Sequence, residues 1–325
     1  VKFFTVLLFF LSFVFSASID VWKLWEHYKK TFISKEGYVV DPYNNYRVTS
    51  EAQGYTLLIS ALIGDKETFY RVWNWTKENL KRKDNLFSWL WINGHVVDRN
   101  NATDADLFIA YALLIASQKW KDYTLLSEAK RIKDSVKELV VPVCNGRRDY
   151  LFIPAKEGYI KNNIVSLNVV YYVPFIFRKF YESFGEDVWK NLYRYTYDIY
   201  TIRNISTHLT YDLFKKELRK GNFIDIDGMR FLIYAYVDDK RSLLYMRNAV
   251  EGILKFYREK GYIPLKYNYV TGGASKLKAP FCFYYVFSKL LPSDKNLEKE
   301  FRNGLEYDKK NYYCYALLLI ALLHD

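Results

Sequence analysis

Residues 102–120 read ATDADLFIAYALLIASQKW, and the two acids that open this otherwise apolar run decide how the chain is to be folded. After Asp104 and Asp106, the apolar residues Leu107, Ile109, Ala110, Leu113, Leu114 and Ala116 cover most of a helix circumference. That pattern predicts an inner, protein-covered helix over 103–120, whose amino end opens onto something polar. One reading is purely local: Thr103 is the N-cap, Asp106 completes a capping box, and both acids complement the helix dipole. The same device recurs twice. Ser50-Glu51-Ala52-Gln53 is a capping box ahead of the apolar run 55–63, and Asp225-Ile226-Asp227-Gly228-Met229-Arg230 opens the run 231–237. Caps alone need only Ser or Thr, so three acidic helix mouths point to amino ends that converge on one cleft holding a carboxylate constellation.

Working outward, apolar periodicity and breakers divide the chain into about a dozen helical segments: 19–34, 50–63, 66–82, 103–120, 122–140, 168–184, 186–203, 226–237, 240–260, 280–290, 294–306 and 310–323. Even-numbered segments are apolar nearly all round, whereas odd ones such as 66–82 and 240–260 are amphipathic. Inner and outer helices that alternate in sequence describe an all-α fold, an (α/α)6 barrel of six inner and six outer helices. Its inner helices run parallel and present their amino ends at one rim, which brings Glu51, Asp104 and Asp227 within reach of one another.

At 325 residues, with no Gly-, Ser- or Pro-rich linker, residues 19–325 are expected to form a single catalytic domain. The start of the chain reads as a secretory signal peptide over 1–18: Lys2, an apolar run over 3–15, then Ser16, Ala17 and Ser18. That run falls short of the roughly 20 residues that span a bilayer, so an exported, periplasmic or secreted protein is expected. The formal charge of +12 raises nucleic acid as a partner, but Lys and Arg are scattered among acids with no sustained basic block, so no nucleic acid partner is expected. Cys144, Cys282 and Cys314 are odd in number and widely spaced, giving no disulfide framework and no metal set. His27, His95, His208 and His324 are equally scattered, so neither a metal nor a cofactor is expected.

The segment 102–120 resembles, position for position, the signature of glycoside hydrolase family 8. Further stretches carry the resemblance along the chain: Trp25-Glu26, 33–37 with Asp41-Pro42, 50–55, Trp89-Leu90-Trp91, 227–230 and 261–264. They are similar, in order, to the family members encoded beside bacterial cellulose synthases. The resemblance implies an inverting hydrolase of β-1,4-linked sugars, with β-1,4-glucan as substrate, cellulose-synthase machinery as a partner, and a monomer. It implies that Glu51 is the general acid, Asp227 the general base and Asp104 the acid that contacts sugar at the cleavage point. Tyr171 in 168–171 matches the tyrosine that helps to hold the attacking water. Where Ile226 precedes the base the family usually has an aromatic, and Asp225 offers itself as a rival base.

Inverting cleavage needs one protonated carboxyl at the glycosidic oxygen and one ionised carboxylate holding a water on the opposite face. A helix dipole favours the ionised form, so Glu51 needs burial and the nearby charge of Asp104 to hold its proton. Asp227 beside Arg230 is expected to stay ionised, and Arg230 either positions the base or contacts sugar. Glucan chains expose flat apolar faces, which aromatic platforms bind. Trp89 and Trp91 are candidates because their segment lies just ahead of the Asp104 rim, although core packing explains them equally well. Trp22, Trp25 and Tyr28 on the first helix are weaker ones. Xylan or chitosan as the substrate, or a catalytically silent glucan-binding barrel, are the competing functions. The presence of Glu51, Asp104 and Asp227 together argues against the silent one.

Overall fold

The computed structural model describes residues 19–144 and 148–324, so the signal segment expected over 1–18 lies outside the described residues. Thirteen α-helices are found among the described residues. They are α1 Val21–Phe32, α2 Ser50–Ile63, α3 Lys66–Asn79, α4 Thr103–Trp120, α5 Tyr123–Lys137, α6 Pro174–Phe184 and α7 Asp187–Tyr200 in the first two thirds of the chain. There follow α8 Ile226–Asp238, the single turn α9 Ser242–Tyr245, α10 Glu251–Lys260, α11 Phe281–Leu290, α12 Lys295–Tyr307 and α13 Tyr312–Leu323.

Six of these close into a ring in the order α2, α4, α6, α8, α11, α13 and back to α2. The outer layer follows from the chain: α1 packs on α13, α3 on α2, α5 on α4, α7 on α6 and α12 on α11, with α9 and α10 between α8 and α11. This is the expected (α/α)6 barrel. The partition follows from side-chain chemistry, because α4 and α13 bury residues on every face, whereas α3, α5 and α12 bury only a stripe. Between α2 and α4 the approach is close enough that a Cβ on Gly54 would stand 3.0 Å from Phe108 Cβ and 3.1 Å from the Ala105 carbonyl oxygen. The middle of the ring is filled by aromatic rings from four inner helices. Phe108 meets Tyr55 at 4.7 Å, Tyr234 at 5.7 Å and Phe175 at 5.9 Å between centroids. This plug makes the barrel a packed core and leaves polar space only at its ends.

Two helical segments depart most from what periodicity suggests, the others losing at most a turn at their ends. Over 168–184 the α-helix starts only at Pro174, whose ring disfavours a helical Val173, while Asn168 caps a separate 3-10 turn at Val169–Tyr171. Over 240–260 the ladder is interrupted because the Asn248 and Ala249 carbonyls accept the N–H groups of Asn204 and Ile205 instead. Among the described residues the loops also carry eleven short strands that helical periodicity does not reveal. Four of them form an antiparallel sheet of Ile160–Lys161, Ile164–Asn168, His208–Asp212 and Glu217–Lys220, beside the amino ends of α6 and α8.

The cysteines correct another expectation. Cys282 and Cys314 form a disulfide that ties the first turns of α11 and α13, neighbours in the inner ring whose contact no sequence spacing discloses. No helix among the described residues is long and apolar enough to cross a membrane, and no cluster of three or more His, Cys, Asp or Glu is arranged to hold a metal.

Candidate active site

A cleft of about 470 Å³ opens where the amino ends of the inner ring meet. Its lining draws on all six inner helices or the residues just before them: Glu51, Asp104, Tyr171, Asp227, Pro280 and Tyr313 each come from a different one. The loop over 41–47 walls one side with Asp41, Tyr43, Asn44 and Arg47, and the sheet reaches the cleft only through Asn168 at the end of its second strand.

Each carboxylate reaches the cleft through local capping chemistry, though not always the expected kind. At α2 the cap is Thr49, whose hydroxyl accepts the Ala52 N–H at 3.2 Å. Gln53 does not complete a box. It accepts the Val39 N–H at 2.7 Å and donates to Thr76 Oγ1, also at 2.7 Å, fastening the preceding loop to α3. At α4 neither Thr103 nor Asp106 caps: Thr103 Oγ1 donates to the Ile153 carbonyl, and Asp106 is wholly buried among other partners. At α8 the cap is Asp225, whose carboxylate accepts the Gly228 N–H at 3.2 Å and the Thr207 hydroxyl at 2.8 Å. Gly228 is required here, since a Cβ would meet Thr207 Oγ1 at 2.3 Å. Asp225 is thereby occupied in a cap and absent from the cleft lining, whereas Asp227 lines the cleft with its side chain 53 % exposed.

Arg230 joins the three acids. Its guanidinium is 4 % exposed and lies over the Tyr313 ring at 5.2 Å. One terminal nitrogen, Nη1, donates to Glu51 Oε2 and to Tyr55 Oη, and stands 3.8 Å from Asp104 Oδ2. The other, Nη2, donates to Asp227 Oδ1 at 3.2 Å. A single buried cation therefore serves three carboxylates. The consequence falls on Asp104, where burial, reinforced by the charge of Glu51, pushes the carboxyl up to about 7. Tyr171 is held far above its ordinary value by burial and by the charge of Asp104, and its hydroxyl is hydrogen-bonded to that of Tyr159.

Of the two tryptophan candidates, Trp89 lines the cleft, its indole N–H donating to Asp98 and holding that carboxylate below the usual range. Trp91 does not line it. It packs against Tyr38 at 5.5 Å and Trp75 at 5.3 Å: residues two apart in a regular strand share a face, but the register shifts between Leu90 and Trp91, and this irregularity parts the two indoles. On α1, Trp25 and Tyr28 are buried, with hydrogen bonds to Asp65 and Thr56, and Trp22 is exposed away from the cleft. Sequence reasoning missed Tyr313, Tyr55 and the loop 41–47. The pair Tyr312-Tyr313 at the mouth of the last apolar segment was the available signal for the first.

Residues 2–325 match the family model described as glycosyl hydrolases family 8. The chain belongs to that family. Among family 8 relatives, an endoglucanase of Escherichia coli O157:H7 is 29% identical over 276 residues, covering 78% of this chain and 73% of its own. An endoglucanase of Cellulomonas uda is 31% identical over 172 residues, covering 52% of this chain; the match spans about half, 47%, of that relative's length. The solved endo-β-1,4-glucanase of Acetobacter xylinum superposes with a TM-score of 0.81 at 24% identity, over 94% of this chain and 97% of its own, and so shares the fold.

Proposed function

We propose that this family 8 chain is an exported endo-β-1,4-glucanase that cleaves its substrate with inversion, Glu51 acting as general acid and Asp227 as general base. The observation that carries the reading is the one guanidinium set among three carboxylates at the mouth of the inner ring. Three acids around one cation cannot all ionise cheaply, and the strain falls on Asp104, whose carboxyl is pushed up to about 7 by burial and by the charge of Glu51. Glu51 is the more accessible of the two, 20 % against 4 % exposed, and is the one able to reach a glycosidic oxygen. Asp227, open to solvent and held by Arg230, carries the attacking water in this reading, with Tyr171 of the same cleft as its second support.

In the reaction the water oxygen attacks the anomeric carbon as its proton passes to Asp227. The bond to the leaving oxygen breaks, and that oxygen takes the proton of Glu51. Asp104 faces the sugar between them, and Trp89 offers an aromatic platform beside the reacting bond. Arg230 positions both acid and base. Polymeric glucan suits a cleft open along one rim; export is supported by the apolar segment over 3–15, and action as a monomer beside cellulose-synthesising machinery follows from the resemblance of the chain. Proton NMR of products freshly released from cellohexaose tests the mechanism: the α-anomer is expected first, and a β-anomer first overturns it. Reducing-end release from carboxymethylcellulose, with xylan and chitosan beside it, tests the substrate.

A further inference from the structure

The second acid of the DAD triplet, Asp106, is fully buried and absent from the cleft lining, and the reaction above makes no use of it. Its Oδ1 accepts the Phe87 backbone N–H at 2.9 Å, and its Oδ2 accepts the Asn101 Nδ2 at 2.8 Å. The Asn101 amide cannot turn round, because its own Oδ1 accepts the Lys156 N–H at 2.7 Å. Two fixed donors thus face two oxygens, a demand that a carboxylate meets and an amide does not. Burial pushes the Asp106 carboxyl up, and the hydrogen bonds from Asn101 and Phe87 pull against it.

What these donors belong to gives Asp106 its reach. Phe87 lies two residues ahead of Trp89. The Trp89 N–H donates to the Asn100 carbonyl at 2.8 Å, while the Trp89 carbonyl accepts the N–H of Ser50, the neighbour of Glu51, at 3.0 Å. Asn101 lies three residues ahead of Asp104, and Thr103 ties the same turn to the Pro154 carbonyl at 2.9 Å. We infer that Asp106 is a positioning residue of this active site: by holding Phe87 and Asn101 together beneath the cleft, it sets where Trp89 stands relative to Glu51 and Asp104. Its consequence for sugar binding rests on the glucanase reading; its geometry does not.

Two measurements on the full chain test this. In Asp106→Asn, amide hydrogen exchange at Phe87, Trp89 and Ser50 is expected to accelerate about tenfold or more, while the amides of α13 keep their protection. The dissociation constant for cellohexaose supplies the second: Trp89→Ala is expected to weaken binding about tenfold in the parent but less than about threefold in the Asp106→Asn background, because the platform has already been displaced. Unchanged exchange over 87–101, equal loosening of every helix, or fully additive binding losses would each overturn the inference. If cellohexaose binds neither protein, the glucan reading fails, and Asp106 is judged on the exchange data alone. Should Asp106→Asn not fold, Asn101→Ala keeps the carboxylate and removes one donor. It must show the same loosening confined to 87–101, and uniform or absent loosening in that variant rejects the role.

Discussion

Helix α8 carries a cluster of the same ingredients at each end, acid, arginine and tyrosine, and the two clusters differ in their charge balance. At its carboxyl end Asp238, with a side chain 0 % exposed, accepts Arg178 Nε at 2.8 Å and the hydroxyls of Tyr193 and Tyr197. The one buried acid has a cation to itself on the inside, every oxygen has a donor, and Arg178, 42 % exposed, turns its other face to solvent, where the half-exposed Glu182 stands 3.8 Å away. At the amino end one guanidinium, 4 % exposed, is divided among Glu51, Asp104 and Asp227. A matched, saturated cluster locks the barrel. The cluster with two surplus acids pushes the Asp104 carboxyl up to about 7 and leaves the Asp227 side chain facing the cleft, the kind of imbalance on which the proposed acid and base roles rest.

The comparison is broken most sharply at Glu51. Glu51→Gln keeps the shape of the side chain but cannot donate a proton, so turnover of carboxymethylcellulose is expected to fall by about 10²- to 10⁴-fold. Calorimetric binding of cellohexaose should persist. A variant retaining more than about a tenth of normal turnover removes Glu51 from the acid role. Next come the paired acids at the α8 mouth. Asp227→Asn is expected to cost about 10²-fold or more in the same reducing-end assay. Asp225→Asn, altering a helix cap, should cost about 1 kcal/mol of stability and leave substantial activity. If the second proves the more damaging, the base is misassigned.

At the other end, Asp238→Asn leaves Arg178 without its buried anionic partner, while that side chain can still turn to water and to the exposed Glu182. The expected cost is about 2 kcal/mol, below the usual range for a fully buried pair, with kcat of the folded enzyme unchanged. Chemical denaturation against activity of the surviving native fraction checks it. A loss of kcat without loss of stability would mean that the two ends are not separate in function.

How much of this was legible in advance depended on the range of the interaction. Helices α2 and α4 coincide with the segments expected over 50–63 and 103–120, since an all-round apolar run between a polar mouth and a Gly or Lys stop is a local signal. Alternation of inner and outer helices is local too, and from it the ring and the convergence of Glu51, Asp104 and Asp227 follow. Arg230 was visible only as the neighbour of Asp227. Its reach to Glu51, 179 residues away, is a property of the closed ring, and so is the pairing of Cys282 with Cys314. The capping boxes failed for a related reason: Gln53 and Asp106 found tertiary donors that outcompeted the local backbone. Trp89 and Trp91 looked alike in sequence because the register shift between Leu90 and Trp91 that parts them arises only when Leu90–Ile92 pairs with Val48–Thr49 and His95–Asp98.

The smallest effect carries the finest test, because it asks for the same substitution to have opposite signs at the two clusters. Asp104 has its carboxyl raised from 3.8 to about 7 in the folded protein, by burial first and by Glu51 second. Between those values the folded chain keeps a proton that the unfolded chain has released. Stability from this group therefore falls as pH rises through the window, and above about 7 the ionised carboxylate is a standing penalty. Asn at this position never ionises. Asp104→Asn is accordingly expected to raise Tm at pH ~8 by a few degrees, equivalent to about 1 kcal/mol, and to bring little or no gain at pH ~4.5. Hydrolysis should be severely reduced at both. Asp238→Asn, in contrast, should lower Tm at pH ~8, since it removes a matched charge rather than a surplus one. Scanning calorimetry of the two variants at the two pH values decides the matter: a gain for Asp104→Asn that is equal at both, or a loss at pH ~8, would mean that Arg230 already neutralises the amino-end cluster and that no surplus acid is held there.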